Sequence, residues 1–266
     1  MKKLMTLCLI TIFLFAGCKK DKGDPPVLPP EESMIIDFSN FDTQKKSADF
    51  SGFKGTENSS WEFSAISAAT WKLIVFGTLA VPVTSFQMVI DQTPEYVSGK
   101  TWQWSYTATI AQATYKARLT GQIMDSEVQW KMYITKDGTG GFNDFLWFEG
   151  TSAFDGKSGS WTLYNSNVNN VAILKIDWEK PAADQGKIKY TYVKNDPFKD
   201  SFIEYGLKTT SLNAYYTIHY WNGAKFSDVN IEWSTKTHNG RIKSLDYLGD
   251  DQWHCWDANR VNVQCP

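Results

Sequence analysis

The sequence predicts a mainly β fold: a single antiparallel up-and-down meander of about eleven strands, curled into a barrel or half-barrel, with one or two N-terminal helices packed on it. Three observations carry this expectation. Apolar and polar residues alternate with a period of two from Thr101 onward, turn-forming pairs recur between the alternating runs, and the stretch 59–91 breaks the alternation.

The first strand places Trp102, Trp104, Tyr106, Ala108 and Ile110 on one face and Gln103, Ser105, Thr107 and Thr109 on the other. Ala113, Tyr115, Ala117 and Leu119 oppose Thr114, Lys116, Arg118 and Thr120, and Val128, Trp130, Met132 and Ile134 oppose Gln129, Lys131, Tyr133 and Thr135. Further strands are expected at 144–153, 160–165, 171–179, 187–194, 201–209, 214–221, 228–236 and 241–247. Between them lie Asp137-Gly138, Asp155-Gly156, Asn222-Gly223 and Asn239-Gly240, which suit hairpin turns whose central residues need positive φ. Links this short cannot cross to a parallel neighbour, so consecutive strands pair antiparallel. A strongly twisted sheet of this length curls.

Before the sheet, Ser59 and Glu62 have the spacing of a capping box, and Phe63, Ile66, Thr70, Leu73, Phe76, Gly77 and Ala80 follow at helical intervals until Pro82. Pro82 then suits the first position of a second helix running to about 91. The β-branched Ile74, Val75, Thr78, Val81 and Val83 support a competing strand reading. Met34 to Phe38 reads as a short leading strand. Residues 33–266 form one β-rich domain, without a repeat of fixed period or a shift of composition to divide it.

The chain has 266 residues, 42% apolar and 15% aromatic, a composition that excludes disorder and coiled coil. Beyond position 17 it holds 25 basic and 29 acidic residues, a formal charge of −4, which gives no electrostatic basis for binding nucleic acid.

Lys2 and Lys3 precede an apolar run from Leu4 to Phe15 that ends in Ala16, Gly17 and Cys18, the layout of a signal peptide over 1–17. The segment Phe15-Ala16-Gly17-Cys18 resembles the lipobox of bacterial lipoproteins, with Phe15 where that family usually has Leu. The resemblance implies acylation of Cys18 and attachment to a membrane through that lipid anchor. Lys19 to Asp24, followed by Pro25, Pro26, Pro29 and Pro30, completes a disordered tether over 18–32 and is similar to the charged start of Bacteroidetes surface lipoproteins. The implied location is the outer membrane, facing the periplasm or the cell surface. An anchored soluble body has no need of a transmembrane barrel, which would show the same alternation.

Outside the cytoplasm the remaining pair, Cys255 and Cys265, is expected to form a disulfide. A zinc site from His254, Cys255, Asp257 and Cys265 lacks the paired spacing such sites use. Zincin, P-loop and dinucleotide motifs are absent, Gly150 to Phe154 lacks the closing glycine of a nucleophile elbow, and the acidic turns at 137–144 and 246–251 do not follow a calcium loop, so no cofactor or metal is expected. His219, His238 and His254 read as structural or surface residues.

The residues that invite a site are carboxylates beside aromatics: Glu149 next to Phe148, Asp177 and Glu179 on either side of Trp178, Glu204 next to Tyr205 and Glu232 next to Trp233. Two carboxylates facing across a sugar-sized gap would serve a polysaccharide hydrolase. The same residues on the wet face of a sheet would pair with basic neighbours and support it. Twelve Trp, twelve Tyr and sixteen Phe supply either a sugar platform, an apolar cavity or a packed core. The expected function is a non-enzymatic binding module for a small hydrophobic ligand, a glycan or an envelope partner, with contacts around Trp147, Glu149, Asp177, Glu204 and Glu232. The alternative is a lipid-anchored hydrolase using paired carboxylates.

Overall fold

The alternation from Thr101 onward becomes a sheet with one hidden face. In a computed structural model of the chain, residues 22–41, 56–110 and 113–266 are described. The signal peptide and Cys18 lie outside these residues. Fourteen strands, β1 to β14, pair in chain order and all antiparallel among the described residues. They are β1 (Glu95–Ser98), β2 (Thr101–Ile110), β3 (Ala113–Ile123), β4 (Val128–Lys136), β5 (Phe142–Ser152), β6 (Ser158–Tyr164) and β7 (Ala172–Ala182). The second half is β8 (Gln185–Tyr192), β9 (Phe202–Leu207), β10 (Ala214–Trp221), β11 (Phe226–Trp233), β12 (Gly240–Lys243), β13 (His254–Trp256) and β14 (Asn262–Val263).

The eleven expected strands correspond to β2 through β12. The sheet gains β1, β13 and β14, each too short to alternate visibly, and residues 245–248 of the last expected strand form a helical turn, α2 (Leu245–Leu248), instead. The sheet is not closed: β1 pairs only with β2, and β14 only with β13.

The concave face is built on a cross-strand alternation of large and absent side chains. Register aligns Trp102, Gly121, Trp130, Gly150 and Trp161 on five adjacent strands, and aligns Trp233, Gly240 and Trp256 on three more. Side chains on the inside of a curl converge, so each indole needs an empty neighbour. A Cβ at Gly121 would stand 2.4 Å from the Trp130 ring, and one at Gly150 would stand 1.9 Å from the Ser160 carbonyl oxygen. Burying a Trp removes roughly 150–250 Å² from water, about 4–6 kcal/mol of transfer free energy.

Two elements fill the concavity. The first is the segment from Pro26 to Phe41, in which Pro26, Pro29, Met34, Ile36, Phe38 and Phe41 are buried. Met34 to Phe38, expected as a short strand, is irregular, with Met34 at φ −123° and ψ 2° after a 3-10 turn, and it joins no sheet: the Tyr190 hydroxyl donates to the Met34 carbonyl at 2.6 Å and the Tyr216 hydroxyl donates to the Asp37 carbonyl. Side-chain hydroxyls here satisfy a backbone that a neighbouring strand would otherwise serve. The stretch read from sequence as tether thus lies on the body from Pro26 onward, because its prolines and Leu28 find apolar surface to cover.

The second is helix α1 (Ser59–Ile90), one continuous helix with Pro82 inside it where the sequence suggested a break. Its buried stripe, Trp61, Ala65, Ala68, Trp71, Val75, Leu79, Pro82, Phe86 and Val89, has helical spacing. Phe86 packs edge-on against Phe148 and Trp161. Burial on both sides of Pro82 outweighs the roughly 3 kcal/mol that an interior proline costs. The buried face is only in part the one expected from the sequence: Phe63 is buried, but Leu73 is 77% exposed. Residues 73–90 carry no charge, so periodicity had no polar side against which to orient them.

The capping box does not form either, since Asn58 holds the cap position without a side-chain hydrogen bond. Asn262 of β14 does the capping from 202 residues away: its Oδ1 accepts from the Ser60 N–H at 3.1 Å and its Nδ2 donates to Ser59 Oγ at 3.0 Å. The Cys255–Cys265 disulfide closes the loop that presents Asn262. Helix α1 contacts β12, β13 and β14 and also β2 and β3, bridging strands near both edges of the open sheet.

Two stability predictions follow from this packing. Asn262→Ala removes the helix cap and is expected to cost about 1 kcal/mol, read as a lower urea midpoint with unchanged slope. Gly121→Ala overpacks the Trp row, since the three nearest atoms to its Cβ all belong to the Trp130 ring, and is expected to cost about 3 kcal/mol, a loss that a Trp130→Leu background should partly restore.

Candidate functional site

The sheet's two faces differ in how completely their polar groups are paired. On the convex face Glu149 accepts a 2.6 Å hydrogen bond from Tyr164 and stands 3.9 Å from Lys131. Asp177 pairs with Lys175 at 2.8 Å, and Glu204 accepts from the Tyr215 hydroxyl at 2.8 Å. Glu232 lies between Lys208, at 2.5 Å, and the Arg241 Nε, at 2.8 Å. Trp147 is the extra residue of a β-bulge, because Met132 faces Phe148 while Tyr133 faces Leu146, and it is half-buried against the core.

The register brings together three of the five carboxylates singled out from sequence, with Glu179 two residues beyond Asp177 on the same strand face. Asp177 faces Lys189, and Lys189 faces Glu204, so these two acids stand about two strand spacings, roughly 10 Å, apart with an ammonium between them. These pairings leave distinct electrostatic marks. The Glu149 hydrogen bond, with burial, pushes the Tyr164 hydroxyl up to about 12. Burial alone would raise the Glu232 carboxyl, but Lys208 and Arg241 outweigh it and hold the group below the usual carboxylate range.

The concave side has an unfilled space. A cleft of about 230 Å³ lies between residues 30–37 and the neighbouring ends of β7, β8 and β9. Its apolar walls are Ile35, Ile188 and Leu207, with Trp178 and Tyr205 contributing aromatic surface. Trp178 is 95% buried, since its exposure is 5%, and its indole N–H has no hydrogen-bond partner. The three indoles of Trp130, Trp161 and Trp256 show the usual arrangement by contrast, donating to Ser152 Oγ, Ser33 Oγ and the His238 carbonyl.

Asp37 also lines the cleft and has no ion-pair partner among the described residues; one of its oxygens accepts from the Ser39 N–H at 2.8 Å. Burial, reinforced by the Asp37 charge, pushes the Tyr205 hydroxyl up to about 12, so the phenol stays a neutral donor at physiological pH. Two ion pairs frame the opening. Lys180 bonds Glu32 and holds its carboxyl below the ordinary range, while Glu179, 3.1 Å from Lys187, raises that ammonium. A more open groove of about 510 Å³ adjoins on the helix side, sharing Glu32, Ile35 and Asp37.

The cleft's lining therefore combines the polar side chains of Trp178, Tyr205 and Asp37 with apolar walls. A ligand hydroxyl, which both donates and accepts, matches this set. The volume falls below the roughly 300–1,000 Å³ of sites for drug-sized ligands, which suits one sugar ring or a headgroup. Among the described residues no three His, Cys, Asp or Glu converge as a metal site.

Of the carboxylates singled out from sequence only Glu179 lines this cleft, at its opening. The chain neighbours of Asp177 and Glu204, Trp178 and Tyr205, point to the opposite face. Asp37 carries no sequence signal, since only the fold brings residues 30–37 under β7 to β9. No protein-family model, curated protein or solved structure matches this chain.

The Glu232 cluster gives a pH-dependent prediction. A carboxyl held below its unfolded value contributes stability above about pH 4.3 and loses it as pH falls through the folded value. Glu232→Gln is expected to cost about 1 kcal/mol at pH 7, because Lys208 and Arg241 keep about a third of their surface wet. In urea melts the gap from the parent chain should narrow steadily below about pH 4.

Proposed function

We propose that this chain is an envelope lipoprotein, anchored in the outer membrane through Cys18, whose β domain is a non-enzymatic binding module. Its ligand is a small group carrying a hydroxyl beside an apolar face, held in the cleft between residues 30–37 and β7 to β9. The observation that supports this reading is a cleft whose lining joins Trp178, with its buried indole N–H lacking a partner among the described residues, to Asp37, whose carboxylate has no cation paired to it among the described residues. A buried donor without a partner costs about 1–3 kcal/mol, a cost that a ligand acceptor would remove. Sugar units of a glycan and lipid headgroups share the required chemistry. The hydrolase alternative has weaker support, because Glu149, Asp177, Glu204 and Glu232 each hold a tyrosine or basic partner on the other face.

A glycan array and a lipid-binding screen on the full mature chain test the proposal and separate the two ligand sources. Trp178→Phe and Asp37→Asn are each expected to weaken the binding so found about tenfold, near 1.4 kcal/mol, with thermal stability retained in Trp178→Phe. Binding that ignores both changes but is lost in Glu149→Gln or Trp147→Ala would move the site to the convex face. Hydrolysis abolished by a single amide substitution among the four convex carboxylates would replace the binding module with an enzyme.

A further inference from the structure

The end of the sheet reached by the N-terminal segment combines exposed apolar residues with the approach of the anchor. Lys22, the first described residue, has its ammonium 5.5 Å from the centre of the Tyr96 ring in β1. From there the chain crosses the hairpin turns at this end: a Cβ built on Gly156, in the β5–β6 turn, would meet Val27 Cγ1 at 3.0 Å and the Leu28 carbonyl at 3.1 Å. The turns between are neighbours. The Ile123 N–H donates to the Lys100 carbonyl at 3.0 Å, joining the β1–β2 turn to the β3–β4 turn, and Val128 faces Ser152, joining the latter to the β5–β6 turn.

Each of these elements exposes one large apolar side chain: Val27 at 54%, Val97 at 54%, Met124 at 43% and Phe154 at 48%. The segment that crosses them buries Pro26 and Pro29 yet leaves Val27 outward. We infer that this end of the sheet is the face the domain lays against the lipid bilayer, with Val27, Val97, Met124 and Phe154 entering its interfacial layer. The inference rests on the reading of Cys18 as the acylated residue. Four peptide steps separate Cys18 from Lys22, a reach of at most about 14 Å, so an acyl chain on Cys18 holds these turns near the headgroups.

The charges on the same turns settle what kind of contact this is. Lys22, Lys100 and Lys157 are matched by Glu95, Asp125, Glu127 and Asp155, which gives no polybasic patch to attract anionic lipid. The contact is apolar and individually weak, and the tether makes it effective by raising the local concentration of bilayer at these turns. The mouth of the cleft, at Ala183 to Gly186, belongs to the same end, which puts its entrance at the lipid surface.

The test uses the complete lipidated protein, isolated from membranes and reconstituted in phosphatidylethanolamine and phosphatidylglycerol vesicles, with the mass of the Cys18 peptide measured first. Val97→Cys and Phe154→Cys carry an environment-sensitive dye at the anchored end, and Val168→Cys and Phe198→Cys carry it at the opposite end. The expected result is severalfold weaker quenching by aqueous iodide at positions 97 and 154 than at 168 and 198, with the reverse order for quenchers in the acyl chains. Doubling the phosphatidylglycerol share should leave this contrast unchanged. Equal iodide quenching at all four positions, with Cys18 acylated, overturns the bilayer face and leaves the anchor standing. A bare Cys18 overturns both.

Discussion

The pairing of each large indole on the concave face with a glycine on the next strand is the constraint on which the rest of the structure depends. A flat sheet could carry tryptophan on every strand, but a curled one cannot, because its inward side chains compete for a shrinking volume. The row Trp102, Gly121, Trp130, Gly150, Trp161 resolves that competition over five strands, and Trp233, Gly240, Trp256 resolves it again near the far edge. Curling then creates an interior that side chains alone do not fill. Helix α1 and the segment from Pro26 to Phe41 occupy it, and their presence between the edges is the physical reason that the sheet stays open rather than closing on itself.

An inserted segment must bring its own solution for its backbone. Between Met34 and Phe38 that solution is a pair of tyrosine hydroxyls, Tyr190 and Tyr216, reaching from β8 and β10 to carbonyl oxygens. These contacts are point attachments and not a ladder, and the cleft is the space left between the segment and the neighbouring ends of β7 to β9. Its polar groups follow from that origin. Trp178 belongs to the sheet and has an indole N–H without a partner among the described residues, while Asp37 belongs to the segment and its carboxylate accepts only from the Ser39 N–H among them.

What could be read from the sequence was whatever depends on local period. The eleven longer strands announced themselves because Trp104, Leu119 and Met132 alternate with Ser105, Thr120 and Lys131 along one chain. The burial of α1 was legible in its existence but not in its orientation, since the run from Leu73 to Ile90 has no charged residue to mark an outer side. Its cap was beyond local reading altogether, because Asn262 arrives from the last strand. The same limit governs the site. Carboxylates beside aromatics were conspicuous as neighbours in the chain, yet a strand sends neighbours to opposite faces, so Asp177 met Lys175 in water while Trp178 turned toward the cleft. Which of two adjacent residues lines a cavity is decided by what packs on each face, and that is a property of residues more than a hundred positions away.

The contrast between the faces is also the strongest ground for locating function on the concave one. Convex acids have partners, so their surfaces are complete as they stand and a ligand there would first have to displace a hydrogen bond or an ion pair. Trp178 is different in kind. Trp102 and Trp233 likewise have buried indole nitrogens without a partner, but of the three only Trp178 lines this cleft. An acceptor placed there gains a hydrogen bond without breaking one, and the apolar walls around it exclude the water that would weaken it. Tyr205, kept neutral by burial and by Asp37, adds a donor whose state does not change across physiological pH. On the proposed reading, binding at this point depends on the shape left between an inserted segment and a curled sheet, and the same curl that the Trp–Gly rows permit is what sets that shape.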